Sequence, residues 1–175
     1  AQHPHSTRAE AFRQLRTNLQ FVEIDKAPKS IVFTSSVPNE GKTTTVCNLA
    51  ITLAPAGSRV LVIEADLRRP RLAEYLGLDS SIGLTSVLVG SVSLADAVQH
   101  WGSGTLSVLA SGPLPPNPSE LLSSQAMADL IRKLESSYDV ILLDEPPLLP
   151  VTDAAVLATA TSGAVASNLR NGATV

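Results

Sequence analysis

Residues 36–44 constrain the fold more than any other segment. Ser36, Val37, Pro38, Asn39, Glu40, Gly41, Lys42, Thr43 and Thr44 have the spacing of a phosphate-cradling loop, G-x-x-x-x-G-K-[ST], with Ser36 in place of the first glycine. A β-branched run of strand length precedes the loop at 30–34, and a helical pattern follows it at 43–53, ending near Pro55 and Gly57. In such a loop, successive backbone N–H groups turn inward as an anion nest. Gly41 lets the chain approach a phosphate without a Cβ clash, and the helix start adds its positive dipole end. Lys42 can reach β- and γ-phosphate oxygens, and Thr43 offers a hydroxyl to Mg²⁺. The expected ligands are ATP and Mg²⁺, contacted from Val37 through Thr44. The bland alternative is a chance Gly-Lys-Thr at a helix start, and the flanking strand, helix and downstream acids weigh against it.

The remaining elements fit the same architecture. Strand-length apolar runs lie at 60–64, 106–110 and 140–143. Helical patterns lie at 7–21, 84–88, 94–99 and 125–136, and a proline-rich turn spans 113–118. Short, wholly apolar strands alternating with helices imply a mainly parallel sheet covered by helices on both faces, an α/β P-loop NTPase fold. In such sheets ligands sit beyond the carboxyl ends of the strands. Three of those ends carry chemistry: Ser36, Asp66 and Asp144 each lie just past a strand.

The two acids have distinct expected roles. A hydrophobic strand ending in Asp holds Mg²⁺ in proteins of this kind, because hard cations prefer oxygen ligands. Asp144 is the better metal candidate, alongside Thr43. Asp66 could join the metal shell or accept a proton from an attacking hydroxyl. Taken singly, each is better read as a loop aspartate capping a turn or helix. Two such acids at strand ends beside a phosphate loop make the functional reading the stronger one. Glu64 and Glu145 stand beside them, and Glu64 could simply pair with Arg68 or Arg69. His3, His5 and His100 lack metal-ligand spacing, and Cys47 reads as a buried helix thiol.

Composition closes off other classes. The 175 residues suit a single domain, divided as 1–29 (an N-terminal helix and linker), 30–160 (the nucleotide-binding core) and 161–175 (a short polar part that looks truncated). A net charge of −3 argues against a general nucleic-acid binder, so no nucleic-acid partner is expected. One cysteine excludes an internal disulfide or a cysteine zinc site. No apolar run approaches the roughly 18–20 residues needed to span a bilayer, and residues 1–5 do not form a signal peptide. A reducing, cytoplasmic location is the default expectation.

Four blocks in order resemble the catalytic domain of the bacterial tyrosine kinases that regulate capsule and exopolysaccharide chain length. Glu10, Arg13 and Arg16 match an E-x-x-R-x-x-R helix, and residues 36–44 match the Walker A segment, which in that family also tends to carry Ser first. Glu64 and Asp66, followed by Leu67, Arg68, Arg69 and Pro70, match a second acidic motif, and Asp144 with its two following prolines matches Walker B. The resemblance runs from about Arg8 to Ala155. It implies an ATP-dependent protein-tyrosine autokinase in which Lys42, Asp66 and Asp144 are catalytic, and Thr43, Asp66 and Asp144 serve the metal. It also implies ring-like self-association through Glu10, Arg13 and Arg16, and a membrane activator segment in the same or a separate chain. The domain is then expected in the cytoplasm at the inner face of the membrane, with a tyrosine-rich tail as phosphate acceptor.

Three departures stand out. Glu64 replaces an Asp, Glu145 stands where Thr is common, and the chain's only tyrosines are Tyr75 and Tyr138. The rival reading is a partitioning ATPase of the MinD/ParA type. Those proteins carry a lysine five residues before the loop lysine, and Val37 holds that place here. A third reading is an ATP-gated assembly module without phosphotransfer of its own.

Overall fold

The computed structural model describes residues 29–35, 41–54, 57–102, 104, 106–146, 163–168 and 173–174. The expected helix at 7–21, with Glu10, Arg13 and Arg16, lies outside the described residues, as do Val37, Pro38, Asn39 and Glu40.

Among the described residues the strands are β1 (Lys29–Ser35), β2 (Val60–Glu64), β3 (Val98–Trp101), β4 (Leu106–Leu109), β5 (Val140–Asp144), β6 (Gly163–Asn168) and β7 (Ala173–Thr174). The helices are α1 (Lys42–Leu53), α2 (Leu72–Leu76), α3 (Leu84–Leu88), α4 (Leu94–Ala97), α5 (Pro118–Leu122) and α6 (Gln125–Glu135). All the strands join one sheet in the order β3-β4-β2-β5-β1-β6-β7. From β4 to β6 every neighbouring pair is parallel, and the antiparallel β3 and β7 close the edges. This is the expected α/β architecture.

Strand alternation divides the inner residues between two cores. Val32, Leu61, Ile63, Ile141 and Leu143 face Met127, Leu130, Ile131 and Leu134 of α6. Ile31, Phe33, Val60, Val62 and Leu142 face Val46, Cys47, Leu49, Ala50 and Leu53 of α1. Both helices bury residues at i, i+3, i+4 and i+7 spacing, the stripe needed to cover one sheet face. The Ser124 hydroxyl caps α6 by accepting the Met127 N–H at 3.2 Å, and Arg132 and Lys133 sit in its last turn, where the helix dipole favours positive charge. Cys47 is buried beneath α1, and that burial pushes its thiol up to about 12, which keeps it protonated.

A polar clasp aligns the starts of two inner strands. The Asp139 carboxylate accepts the Arg59 main-chain N–H at 2.7 Å and a guanidinium N–H at 2.8 Å, while the Asp139 N–H donates to the Arg59 carbonyl at 2.9 Å. The adjacent guanidinium holds the Asp139 carboxyl below its ordinary range. With β2 and β5 pinned at this end, their carboxyl ends finish level at Glu64 and Asp144.

Several elements differ from the sequence reading. The helix expected over 94–99 stops at Ala97, and Val98–Trp101 becomes an edge strand against β4. Ladder pairing with β4 outweighs a continued helical turn there. Residues 118–122 form a short helix directly after the proline-rich turn, with Pro118 in its first turn. The polar segment from 161 onward contributes β6, which pairs parallel with β1 from Gly163 to Ser167.

Candidate functional site

The site lies where β1, β5 and β2 end side by side. Phe33 and Glu64 are both in register with Asp144, the last residue of the strand between them. Asp144 is 1% exposed. Gly41, at φ 77°, turns the chain into α1, and its carbonyl accepts the Thr45 N–H at 2.9 Å. A left-handed residue at this point suits glycine, and it places Lys42 and Thr43 at the head of the helix.

Those two side chains converge on Asp144. The buried Lys42 ammonium donates to Asp144 Oδ1, and the Thr43 hydroxyl donates to Oδ2 at 2.7 Å. Burial pushes the Asp144 carboxyl up from its ordinary range, while Lys42 and Thr43 draw it back toward the ionised form. The main chain locks the same corner: Ala65 N–H donates to the Asp144 carbonyl at 2.9 Å, and Glu145 N–H donates to the Phe33 carbonyl at 3.0 Å. The Thr34 hydroxyl adds a bond to the Pro146 carbonyl at 2.9 Å. Glu145 is fully buried immediately after the strand.

Asp66 stands apart from this three-residue contact but within its electrostatic reach, close enough to oppose ionisation of Asp144. Its Oδ1 accepts the N–H groups of Arg68 at 3.3 Å and Arg69 at 3.0 Å, an Asx-type turn that shapes the loop after β2. Beyond it the exposed Arg68 guanidinium donates to the Ser119 hydroxyl at 3.0 Å. Thr44 is exposed on the first turn of α1.

Glu64 does not pair with Arg68 or Arg69. Its Oε1 accepts the Leu72 N–H at 2.5 Å, and its Oε2 accepts the Ser111 N–H at 3.0 Å. Burial raises its carboxyl above the ordinary range, and the two amides oppose that shift. The one hint in the sequence is an acid closing a wholly apolar strand, where it must find internal partners.

The donor set fits a hard divalent cation and a phosphate chain. A carboxylate and a hydroxyl supply oxygens of the kind Mg²⁺ takes, and an ammonium at a helix start supplies the anion contact. Asp144 and Thr43 could hold such a metal, and Lys42 with the head of α1 could hold the phosphates.

A protein-family model described as an AAA domain matches residues 29–174. The tyrosine-protein kinase YwqD of Bacillus subtilis is 44% identical over 162 residues, covering 93% of this chain and 68% of its own. The solved kinase domain of Escherichia coli tyrosine kinase ETK superposes with a TM-score of 0.86 at 36% identity, covering 90% of this chain and 62% of that one. Of the full-length Escherichia coli etk protein, 37% identical over 154 residues, this chain spans 21%. The septum site-determining protein MinD of Pyrococcus horikoshii, solved with Mg-ADP, gives a TM-score of 0.68 at 27% identity, covering 81% of this chain and 58% of that one.

Proposed function

Because the chain belongs to the bacterial tyrosine-protein kinase family, we propose that its strand-end crevice transfers the γ-phosphoryl group of ATP to protein tyrosine. The observation that carries this reading is the convergence of Lys42 and Thr43 on the buried Asp144, with Asp66 in the loop just past the neighbouring β2. Lys42 turns its ammonium toward the phosphates and offsets their charge, and the loop from Val37 to Thr44 cradles them through backbone N–H groups. Asp144 and Thr43 would hold the metal, with Asp66 adding negative charge nearby. When bound, Mg²⁺ would supply neutralisation of the phosphate charge. Asp66 accepts the proton of the attacking tyrosine hydroxyl, and its turn bonds to Arg68 and Arg69 keep its carboxylate in place.

The acceptor is a tyrosine-rich tail outside this chain, whose own tyrosines are Tyr75 and Tyr138. The activity serves regulation of capsule or exopolysaccharide synthesis at the inner face of the membrane, driven by a membrane activator segment in the same or a separate chain. Among the described residues no helix is long and apolar enough to cross a membrane. Self-association through Glu10, Arg13 and Arg16 brings one copy's tail to another's site. Replacing Arg13 and Arg16 together by Ala should lower the oligomer mass in light scattering, and an unchanged mass would sink that assignment.

The kinase reading is tested with the domain, Mg·ATP and a tyrosine-rich peptide, scored for phosphotyrosine by mass spectrometry. Lys42→Met should lower the rate by roughly 10²–10³, the usual loss when one charged transition-state contact is removed. Phosphate release without phosphotyrosine, across activating partners, would favour a MinD-like ATPase. The fold is compatible with that outcome, but Val37 lacks the early lysine.

A further inference from the structure

Glu64 closes β2 with 0% exposure, and both of its carboxylate oxygens are committed to the main chain. Its partners belong to different segments. Leu72 opens α2, at the far end of the 65–71 loop that carries Asp66, whereas Ser111 follows β4. The Ser111 carbonyl in turn accepts the Thr85 N–H at 2.9 Å, which ties the start of α3 into the same framework.

We propose that Glu64 is a positioning residue, a two-pronged clamp that fixes the Asp66 loop against the exit of β4. It neither holds metal nor moves a proton. This rests on the kinase reading above, since the loop matters through the proton acceptor it carries. The loop is fastened at both ends: Asp66 accepts from Arg68 and Arg69, and Glu64 holds Leu72. The far anchor has no slack. A Cβ on Gly83 would come within 2.1 Å of the Ala110 carbonyl oxygen, and one on Gly112 within 2.6 Å of Thr85 Oγ1. The 110–112 segment is thus packed closely against the start of α3, which the Leu84 and Thr85 N–H groups also bond to the Ala110 and Ser111 carbonyls.

Side-chain length and side-chain charge make opposite predictions here. An aspartate keeps the charge but falls short by about one C–C bond, about 1.5 Å, too little to span amides at 2.5 and 3.0 Å. A glutamine keeps the length but turns an NH₂ toward one of the two N–H groups, so it keeps one bond and loses the other. A clamp therefore ranks kcat as Glu above Gln above Asp. A metal ligand or proton acceptor would lose rate in both variants but place Gln lowest, because a neutral amide supplies neither the charge nor the basic oxygen that Asp keeps.

The test compares wild type, Glu64→Gln and Glu64→Asp for phosphotransfer from Mg·ATP to a tyrosine-rich peptide, well below the lowest Tm. Mg·ATP affinity is followed by fluorescence titration, and hydrogen exchange at the Leu72 and Ser111 amides by NMR. The expected kcat falls roughly tenfold for Gln and about 100-fold for Asp, the scale of loss from a misplacement of about 1 Å. Mg·ATP affinity should stay within about threefold, the mark of a change in the chemical step rather than in binding, and both amides should exchange faster. Aspartate activity above that of glutamine overturns the proposal, as does wild-type kcat in both variants. If Glu64→Asp fails to fold, Glu64→Gln decides by the same kcat and exchange readings. If wild type itself yields no phosphotyrosine, the kinase reading fails, and unchanged protection at Leu72 and Ser111 in the variants then overturns the clamp separately.

Discussion

Gly83 and Gly41 both stand where glycine is favoured, for opposite reasons. Gly41 holds φ 77°, a left-handed conformation that costs an L-residue with a Cβ about 1–2 kcal/mol. Gly83 has extended backbone open to any residue, so its requirement is space. Its added Cβ would lie 2.1 Å from the Ala110 oxygen and 2.5 Å from the Gly112 nitrogen, both main-chain atoms that no rotamer change can move. The Leu84 N–H donates to that same Ala110 carbonyl at 2.7 Å, so relief means pulling α3 off the sheet exit. Gly83→Ala should therefore cost about 2 kcal/mol, within the range for overpacking. For a domain of this size that is a fall of roughly 4–8 °C in Tm by circular dichroism. An unchanged Tm would mean that the α3 start moves freely. Lys42 and Asp144 lie on other elements, so nucleotide affinity in the folded variant should be kept.

At the level of elements, legibility follows burial. The inner strands β1, β2, β4 and β5 can be read directly because each is a short apolar run enclosed on both faces. The helix α6 is equally clear, with four buried positions repeating on one face behind a serine cap. Edge and short elements are obscure for the same physical reason. Val98, Gln99, His100 and Trp101 are half-buried or exposed, so no pattern separates a strand from one more helical turn, and only the bonds to β4 decide. The helix α5 is a single turn hidden behind prolines. Strand-end acids such as Asp144 are visible in the sequence because the chemistry sits next to its strand. The Glu64 clamp is not, because its partners are backbone amides 8 and 47 residues away and carry no side-chain signature.

The molecule as a whole behaves as one binding device, because the site needs both cores and the middle of the sheet. Lys42 and Thr43 ride on α1, which packs on one face, and α6 packs on the other. Asp144 ends β5, the strand between β1 and β2, and the Arg59–Asp139 clasp sets the starts of β5 and β2 level. A ligand that touches the head of α1 and the end of β5 together recognises only the folded chain. Saturating Mg·ATP at about 100 times its Kd should then stabilise the fold by roughly 2.7 kcal/mol, a rise of about 5–10 °C in Tm. Chelating the metal with EDTA separates two contributions. The ammonium and the helix head still attract phosphate without metal, so part of the rise should remain, while the part that depends on Asp144 and Thr43 should vanish. Asp144→Asn should copy the EDTA result in the presence of Mg²⁺, since a neutral amide oxygen is a poor substitute for a carboxylate at a hard cation. Equal rises with and without EDTA in the wild type would remove Asp144 from the metal site. The buried Lys42–Asp144 contact would then be read as an ion pair that only holds the head of α1 against β5.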